Sequence, residues 1–307
     1  MKYISLFAGI GGFDLALNRL GHECVYANEW DKYAAEIYRK KLGDVDTRDI
    51  RTVPTSEIPD HDLLVGGFPC QAFSIAGKRR GFDDTRGTLF FEIARILKDK
   101  QPKFFILENV KGLLSHDNGF TFKTIISTLT ELGYDLEWQV LNSKNFGVPQ
   151  NRERVFIVGH LRGQPRPKVF PITECSGTDK GLVYAQKADR EIARVYDPEG
   201  LAPTLHLKTG GWQEPKVAIP VLTPDRPIKR QNGRRFKEDG EPSFTLTGQD
   251  KHGVSDGMRI RRLTPTECER LQGFPDGWTE GVSDTQRYKC LGNAVTVNVV
   301  YEVARRL

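Results

Sequence analysis

Cys70 is the residue with the most chemistry in reach. It stands in Gly66-Gly67-Phe68-Pro69-Cys70-Gln71-Ala72-Phe73-Ser74, behind the apolar run Leu63-Leu64-Val65. The run reads as the end of a buried strand, and two glycines and a proline then turn the chain. A thiol on that corner sits at a strand's carboxyl end, where open α/β sheets bind ligands. Beside it Gly77-Lys78-Arg79-Arg80-Gly81 and Asp83-Asp84-Thr85-Arg86-Gly87 form a basic, glycine-hinged flap. The arrangement is that of a nucleophile with a lid. A structural cysteine before a loop is the other reading of these residues alone.

Two further groups have the right placement. Glu108 follows Phe104-Phe105-Ile106-Leu107. A carboxyl behind four apolar residues is partly desolvated, which favours its protonated form and suits proton donation near neutral pH; a polar strand terminus facing water is the other reading. Arg152 and Arg154, in Gln150-Asn151-Arg152-Glu153-Arg154, stand two apart at the start of a strand over 155–158. They point the same way and can grip a base or a phosphate. A surface ion-pair cluster with Glu153 is the alternative.

The elements that must position these groups alternate strand and helix. Residues 2–7 read as a strand, Ala8-Gly9-Ile10-Gly11-Gly12 as a tight turn and 13–20 as a helix. Asp14 stands where a dinucleotide fingerprint has its third glycine, so a cofactor without phosphates fits better than NAD. A second strand, 23–28, ends in Glu29-Trp30-Asp31. Glu29 is placed for ribose hydroxyls, or else caps the helix over 32–41. Trp30 can pack on an adenine ring. Asp49, before Ile50, accepts from an adenine amino group or is a turn residue. A helix over 88–98, a helix marked by Phe122, Ile125, Ile126, Leu129 and Leu132, and a strand over 134–141 complete the pattern.

From residue 160 the chain turns rich in proline, glycine and short β-like pieces. Residues 226–237 carry six Lys or Arg and no acid, a run suited to phosphate contact or to a solvated loop. Thr264-Pro265-Thr266-Glu267 is a capping box with proline at the first helical position. Gly292-Asn293 reads as the opening of a last helix over 294–305. The fold class expected is α/β: a Rossmann-like domain of residues 1–160 plus 259–307, with a mostly β module, 161–258, inserted.

The 307 residues, 38% hydrophobic and 10% aromatic, suffice for a real core, and the net charge of +5 weakly favours a polyanionic partner. Five cysteines, at 24, 70, 175, 268 and 290, include no Cys-x-x-Cys pair, so neither zinc nor a disulfide framework is indicated. Reduced thiols, no targeting segment and no run of membrane-spanning length point to the cytoplasm.

Together, Phe7-Ala8-Gly9-Ile10-Gly11-Gly12-Phe13, Asn28-Glu29-Trp30-Asp31, Gly67-Phe68-Pro69-Cys70-Gln71, Glu108-Asn109-Val110, Gln150-Asn151-Arg152-Glu153-Arg154 and Gly292-Asn293-Ala294-Val295 resemble the motifs of the cytosine-5 DNA methyltransferase family, in the family's order. The chain looks like its small bacterial members. One departure is Arg48 before Asp49, where a glycine is common. The resemblance implies a methyltransferase domain with S-adenosylmethionine as cofactor and an inserted target recognition domain. It implies methyl transfer to carbon 5 of a cytosine flipped out of duplex DNA, through a covalent bond from Cys70 to carbon 6. Glu108 would hold or protonate ring nitrogen 3 and Arg154 would contact oxygen 2, with Arg152 on a phosphate or ordering the site. Phe7, Gly9, Gly11, Glu29, Trp30, Asp49, Ile50, Pro69 and Asn293 would line the cofactor pocket. Gln71, Ser74, Lys78, Arg79 and Arg86 would hold DNA, with Thr204-Leu205 or Thr245-Leu246 as the family's Thr-Leu element. No metal is called for. A monomer is expected, with a cognate restriction endonuclease as its functional partner. RNA methylation on the same scaffold, a non-catalytic repressor and a thiol hydrolase are the rivals. The sizeable inserted module favours duplex DNA, and intact Cys70, Glu108 and Arg154 favour an enzyme.

Overall fold

The computed structural model describes residues 1–68, 89–172, 184–185, 194–196, 216–217, 219–224, 234–238, 241–248, 251–255 and 260–307. The chain divides into two compact units: Met1–Leu141 with Glu153–Thr173 and Val299–Leu307, and Asn142–Arg152 with Glu174–Asn298.

In the first unit β1 (Lys2–Leu6), α1 (Gly12–Arg19), β2 (Glu23–Asn28), α2 (Lys32–Leu42), β3 (Leu63–Gly67), α3 (Leu89–Lys100), β4 (Phe104–Val110), α4 (Phe120–Glu131), β5 (Tyr134–Asn142) and β6 (Glu153–Leu161) follow in order. The strands lie in one sheet, β2-β1-β3-β4-β6-β5. β2, β1, β3 and β4 run parallel and β6 antiparallel to β4. Near-continuous apolar strands such as Leu63-Leu64-Val65 and Phe104-Phe105-Ile106-Leu107 are buried, as both-face coverage requires. The main core packs Ile4, Leu6, Leu64, Phe105 and Ile157 against Phe90, Ile93 and Leu97 of α3 and Ile125 and Leu129 of α4.

The chain winds from β1 to β2 on one side and onward to β3 on the other. The reversal between neighbouring β1 and β3 is the switch point at which open sheets form a ligand crevice. Register then aligns the carboxyl ends: Leu6 pairs with Gly66, Gly67 with Glu108, and Val110 with Arg154 at the start of β6.

The second unit holds a short sheet of β7 (Tyr184–Ala185), β8 (Arg194–Tyr196) and β9 (Lys216–Val217), and an antiparallel sheet of β10 (Ile219–Leu222), β11 (His252–Ser255) and β12 (Ile260–Arg262). α5 (Pro265–Leu271) and α6 (Asp284–Asn293) follow, and α7 (Val297–Ala304) ends the helices. The capping box is formed: Thr264 Oγ1 accepts from the Glu267 amide and Glu267 Oε2 from the Thr264 amide, with Pro265 at N1.

One expectation changes. Gly292-Asn293 closes α6 rather than opening the last helix; Ala294 is extended, and α7 starts at Val297. The two compact units group residues by contact. Residues 142–152 group with most of 259–298, because Gln150 and Arg152 hydrogen-bond to backbone in that stretch. Among the described residues no helix is long and apolar enough to cross a membrane.

Candidate active site

Glu108 and Arg154 meet at the sheet's carboxyl edge. They stand diagonally on the antiparallel β4–β6 pair, since Glu108 faces Phe156 and Arg154 faces Val110. Diagonal neighbours share a face and are within reach of long side chains. Arg154 Nε lies 3.0 Å from Glu108 Oε1, with the two side chains 16% and 13% exposed. The desolvated carboxyl expected at this position therefore has a guanidinium beside it. Arg154 Nη1 also donates to the Glu153 carbonyl at 2.8 Å, which orients the guanidinium fork.

Gly67, opposite Glu108, is the last residue of β3, three residues before Cys70. A Cβ there would stand 3.1 Å from Glu108 Oε2, so the glycine leaves room for the carboxylate. Buried Asn109 donates from Nδ2 to the Phe68 carbonyl at 2.8 Å and accepts from the Val110 amide. The strand end carrying Glu108 is thereby tied to the chain two residues before Cys70. Neither role was legible from residue types. Pro69, Cys70, Gln71, Ser74, Lys78, Arg79, Arg86 and Thr204 lie outside the described residues.

The glycine turn is a second focus. Phe7, Gly9 and Gly11 adopt positive φ, at 54°, 58° and 83°, and a Cβ on Gly9 would meet nothing within 4 Å. Its backbone therefore borders open space, as close approach to a ligand needs. Glu29 is not a helix cap. Its Oε2 accepts from the Gly9 amide at 2.8 Å and its Oε1 from the Asp31 amide at 2.7 Å, while Asp31 caps α2 by accepting from Tyr33 and Ala34. Glu29 thus joins the turn after β1 to the turn after β2. Trp30 is 64% exposed. Asn28 holds the next loop, donating to the Asp46 and Arg48 carbonyls. Asp49 caps the short 3-10 turn Ile50–Thr52 and pairs with Arg51, whose guanidinium holds its carboxyl below the usual range. Ile50 is buried. Arg48, at the position that departs from the family pattern, is committed to Asp46 and Glu57.

Arg152 takes a different part from Arg154. It is 2% exposed in the second unit, and its guanidinium donates to the carbonyls of Leu246 at 2.8 Å, Gly292 at 3.2 Å and Ala294 at 2.7 Å. A fork closed on three carbonyls orders its surroundings. Gln150 works with it, accepting from the Leu246 amide and donating to the Leu271 carbonyl. Thr245 Oγ1 donates to the Asn151 carbonyl at 2.5 Å. The stretch Gln150-Asn151-Arg152 therefore grips Thr245-Leu246, a pairing no spacing revealed. Asn293 ends α6 in this second unit and is exposed. Of the basic run, Arg234 pairs with Glu238 and Glu241, and Lys237 lies over the Phe244 ring.

Comparisons with known proteins agree with one another. The family model for C-5 cytosine-specific DNA methylase matches residues 1–188 and 173–307, which together span the chain. The type II methyltransferase M.NgoBI of Neisseria gonorrhoeae is 42% identical, covering 100% of this chain and 92% of that protein. The type II methyltransferase M.HhaI of Haemophilus parahaemolyticus is 39% identical over 99% of this chain and 93% of its own. Among solved structures, the S. pombe Dnmt2 methyltransferase superposes with a TM-score of 0.65 at 19% identity, covering 99% and 97% of the two chains, a likeness of fold. The glycine turn, the Glu108–Arg154 pair and a family match over the full length lead to one conclusion: the chain belongs to the C-5 cytosine-specific DNA methylase family.

Proposed function

We propose that the chain transfers the methyl group of S-adenosylmethionine to carbon 5 of a cytosine flipped out of duplex DNA, through a covalent bond from Cys70. The observation that carries this is the Glu108–Arg154 pair at 3.0 Å, on a strand end tied through Asn109 to Phe68, two residues before Cys70.

The residues fit the cofactor. The turn at Gly9 borders open space, and the Glu29 carboxylate bonded to its amide would repel a phosphate while accepting from hydroxyls. Phe7, Gly9, Gly11, Glu29, Trp30, Asp49 and Ile50 are the described residues of the first unit that would hold it. When bound, it supplies an electrophilic methyl group.

Cytosine carbon 5 is a weak nucleophile. Cys70 sulfur bonding to carbon 6 moves the ring's electron pair toward carbon 5. A free thiol is only a few per cent ionised near pH 7, so the site must favour the attacking form. Glu108 addresses ring nitrogen 3 and Arg154 oxygen 2, neighbouring positions on one edge of the base, and so limit the charge that addition builds there. Once carbon 5 carries the methyl group, its proton leaves to a base, the electron pair reforms the ring double bond and the carbon–sulfur bond breaks. Duplex stacking hides carbon 6, so flipping at a cost of a few kcal/mol must come first. By the family resemblance, Gln71, Ser74, Lys78, Arg79 and Arg86 would hold the DNA while the base is out.

We assign residues 1–160 plus 259–307 to catalysis and 161–258 to target recognition. Thr245-Leu246, gripped by Gln150 and Arg152, is the better candidate than Thr204-Leu205 for the Thr-Leu element. The physiological role proposed is a cytoplasmic monomer protecting host DNA against a cognate restriction endonuclease.

The test is a mechanism-based trap. A duplex carrying 5-fluorocytosine at the methylated site, found by bisulfite sequencing of DNA from expressing cells, should form a covalent adduct with the chain. Cys70→Ser should form none while binding duplex DNA as before. Adduct formation or normal turnover in Cys70→Ser would overturn the mechanism, and methylation of transfer RNA in place of duplex DNA would overturn the substrate.

A further inference from the structure

Beneath the glycine turn lies a polar cluster that the transfer chemistry does not use. Asp14, in the first turn of α1, is fully buried. Its Oδ2 accepts from Ser5 Oγ at 2.9 Å and its Oδ1 from Tyr38 Oη at 2.8 Å. Ser5 is on β1, the strand that runs into the turn; Tyr38 is on α2, the helix that follows Glu29-Trp30-Asp31. The Cys24 sulfur of β2 lies 3.8 Å from the same Tyr38 hydroxyl, and the Tyr3 hydroxyl of β1 donates to Asn18 of α1 at 3.0 Å.

One carboxylate thus ties α1 to the strand before the first ligand loop and to the helix after the second. At their other end the two loops are joined by the Ala8 amide on the Asn28 carbonyl at 3.0 Å and the Gly9 amide on Glu29 Oε2 at 2.8 Å. Apolar side chains of similar volume would pack this position as well or better. What a buried carboxylate with two hydroxyl donors adds is a defined distance and direction, because hydrogen bonds have both. Asp14 also occupies the place of a third glycine, where a dinucleotide site needs close helix–strand packing.

We propose that Asp14 is a positioning residue for the S-adenosylmethionine pocket, setting the spacing between the glycine turn and Glu29 through its bonds to Ser5 and Tyr38. The inference rests on the cofactor reading above. Releasing either bond lets α1 and α2 shift, and the Gly9 amide and Glu29 carboxylate move with the elements that carry them.

The experiment uses the full chain with S-adenosylhomocysteine in calorimetric titrations and S-adenosylmethionine in steady-state methylation of duplex DNA. Asp14→Ala leaves two buried hydroxyls without their acceptor. It should raise the cofactor Kd and the KM for S-adenosylmethionine together by about tenfold, the factor that ~1.4 kcal/mol represents, with kcat and the Kd for DNA changing far less. Asp14→Asn, which offers one acceptor and one donor to the two hydroxyls, should recover most of the loss. Tyr38→Phe cuts the α1–α2 tie and the Cys24 contact while keeping the Ser5 bond to Asp14, and should weaken the cofactor about threefold. A merely structural role would lower the active fraction, so that kcat fell while cofactor KM stayed put. Unchanged cofactor Kd and KM in Tyr38→Phe and in folded Asp14→Ala would overturn the proposal; if Asp14→Ala does not fold, Tyr38→Phe decides alone. A wild-type chain that fails to bind S-adenosylhomocysteine would instead overturn the cofactor reading.

Discussion

Gly67 faces Glu108 across the β3–β4 register, and the missing Cβ is what lets the carboxylate lie there. Glu108 is also held by Arg154 at 3.0 Å, so it can yield to an added methyl group only by disturbing that pair. Gly67→Ala should therefore lower the single-turnover methylation rate by about tenfold, in keeping with the ~10²-fold cost of a full ångström of misplacement. The cofactor Kd should be unchanged in the same titration. An unaltered rate would mean that Glu108 has slack the structure does not suggest. Arg152 and Arg154, two residues apart in one motif, show how far neighbours can diverge: one is closed on three carbonyls, the other meets Glu108.

Among the elements, α6 is the one the sequence pattern did not announce. Its ten residues, Asp284–Asn293, bury only Cys290, Leu291 and Gly292, too few for an apolar face at helical spacing. Gly292 is small for a reason other than helix opening: a Cβ there would lie 2.4 Å from the Gly248 nitrogen and the Thr247 carbonyl carbon. Arg152 then secures the helix end through the Gly292 and Ala294 carbonyls. Arg152→Ala should cost on the order of 3 kcal/mol, the sum of several charge-assisted hydrogen bonds lost in a buried place. Urea unfolding followed by Trp278 fluorescence would measure it, and a loss below about 0.5 kcal/mol, the size of an ordinary surface change, would deny the anchor.

For the whole molecule, buried Asp14 makes stability depend on pH. Burial raises its carboxyl pKa, against the lowering effect of bonds from Tyr38, Ser5 and Cys24. The groups around it are the Tyr3 and Tyr38 hydroxyls, whose pKa values burial also raises, and the Cys24 thiol, pushed up to about 12. A carboxyl whose folded pKa exceeds its unfolded value near ~4 contributes stability fully present below that value and lost as pH rises through the folded pKa. Asp14→Asn removes this dependence. Its melting temperature relative to wild type should rise from pH ~4 upward, even as its cofactor affinity fails to exceed wild type. A difference that stayed constant with pH would show that burial does not shift Asp14.

Sequence by itself determined the alternation of strand and helix, the glycine turn after β1 and the carboxylates at the ends of β2 and β4. Period, turn chemistry and capping are local, and each is written within a few residues. Glu108 could be named because it directly follows a buried apolar run, and Glu29 because it stands twenty residues past Gly9, the first glycine of the turn. The tertiary structure alone decided which of these groups meet. Strand order put the turn after β1 next to the strand leading to Cys70, and antiparallel register put Arg154 on Glu108. Long-range packing committed Arg152 to Leu246, Gly292 and Ala294, 94 to 142 residues away. Such partners are chosen by the volume and the unpaired carbonyls that folding brings together, and no spacing along the chain encodes them.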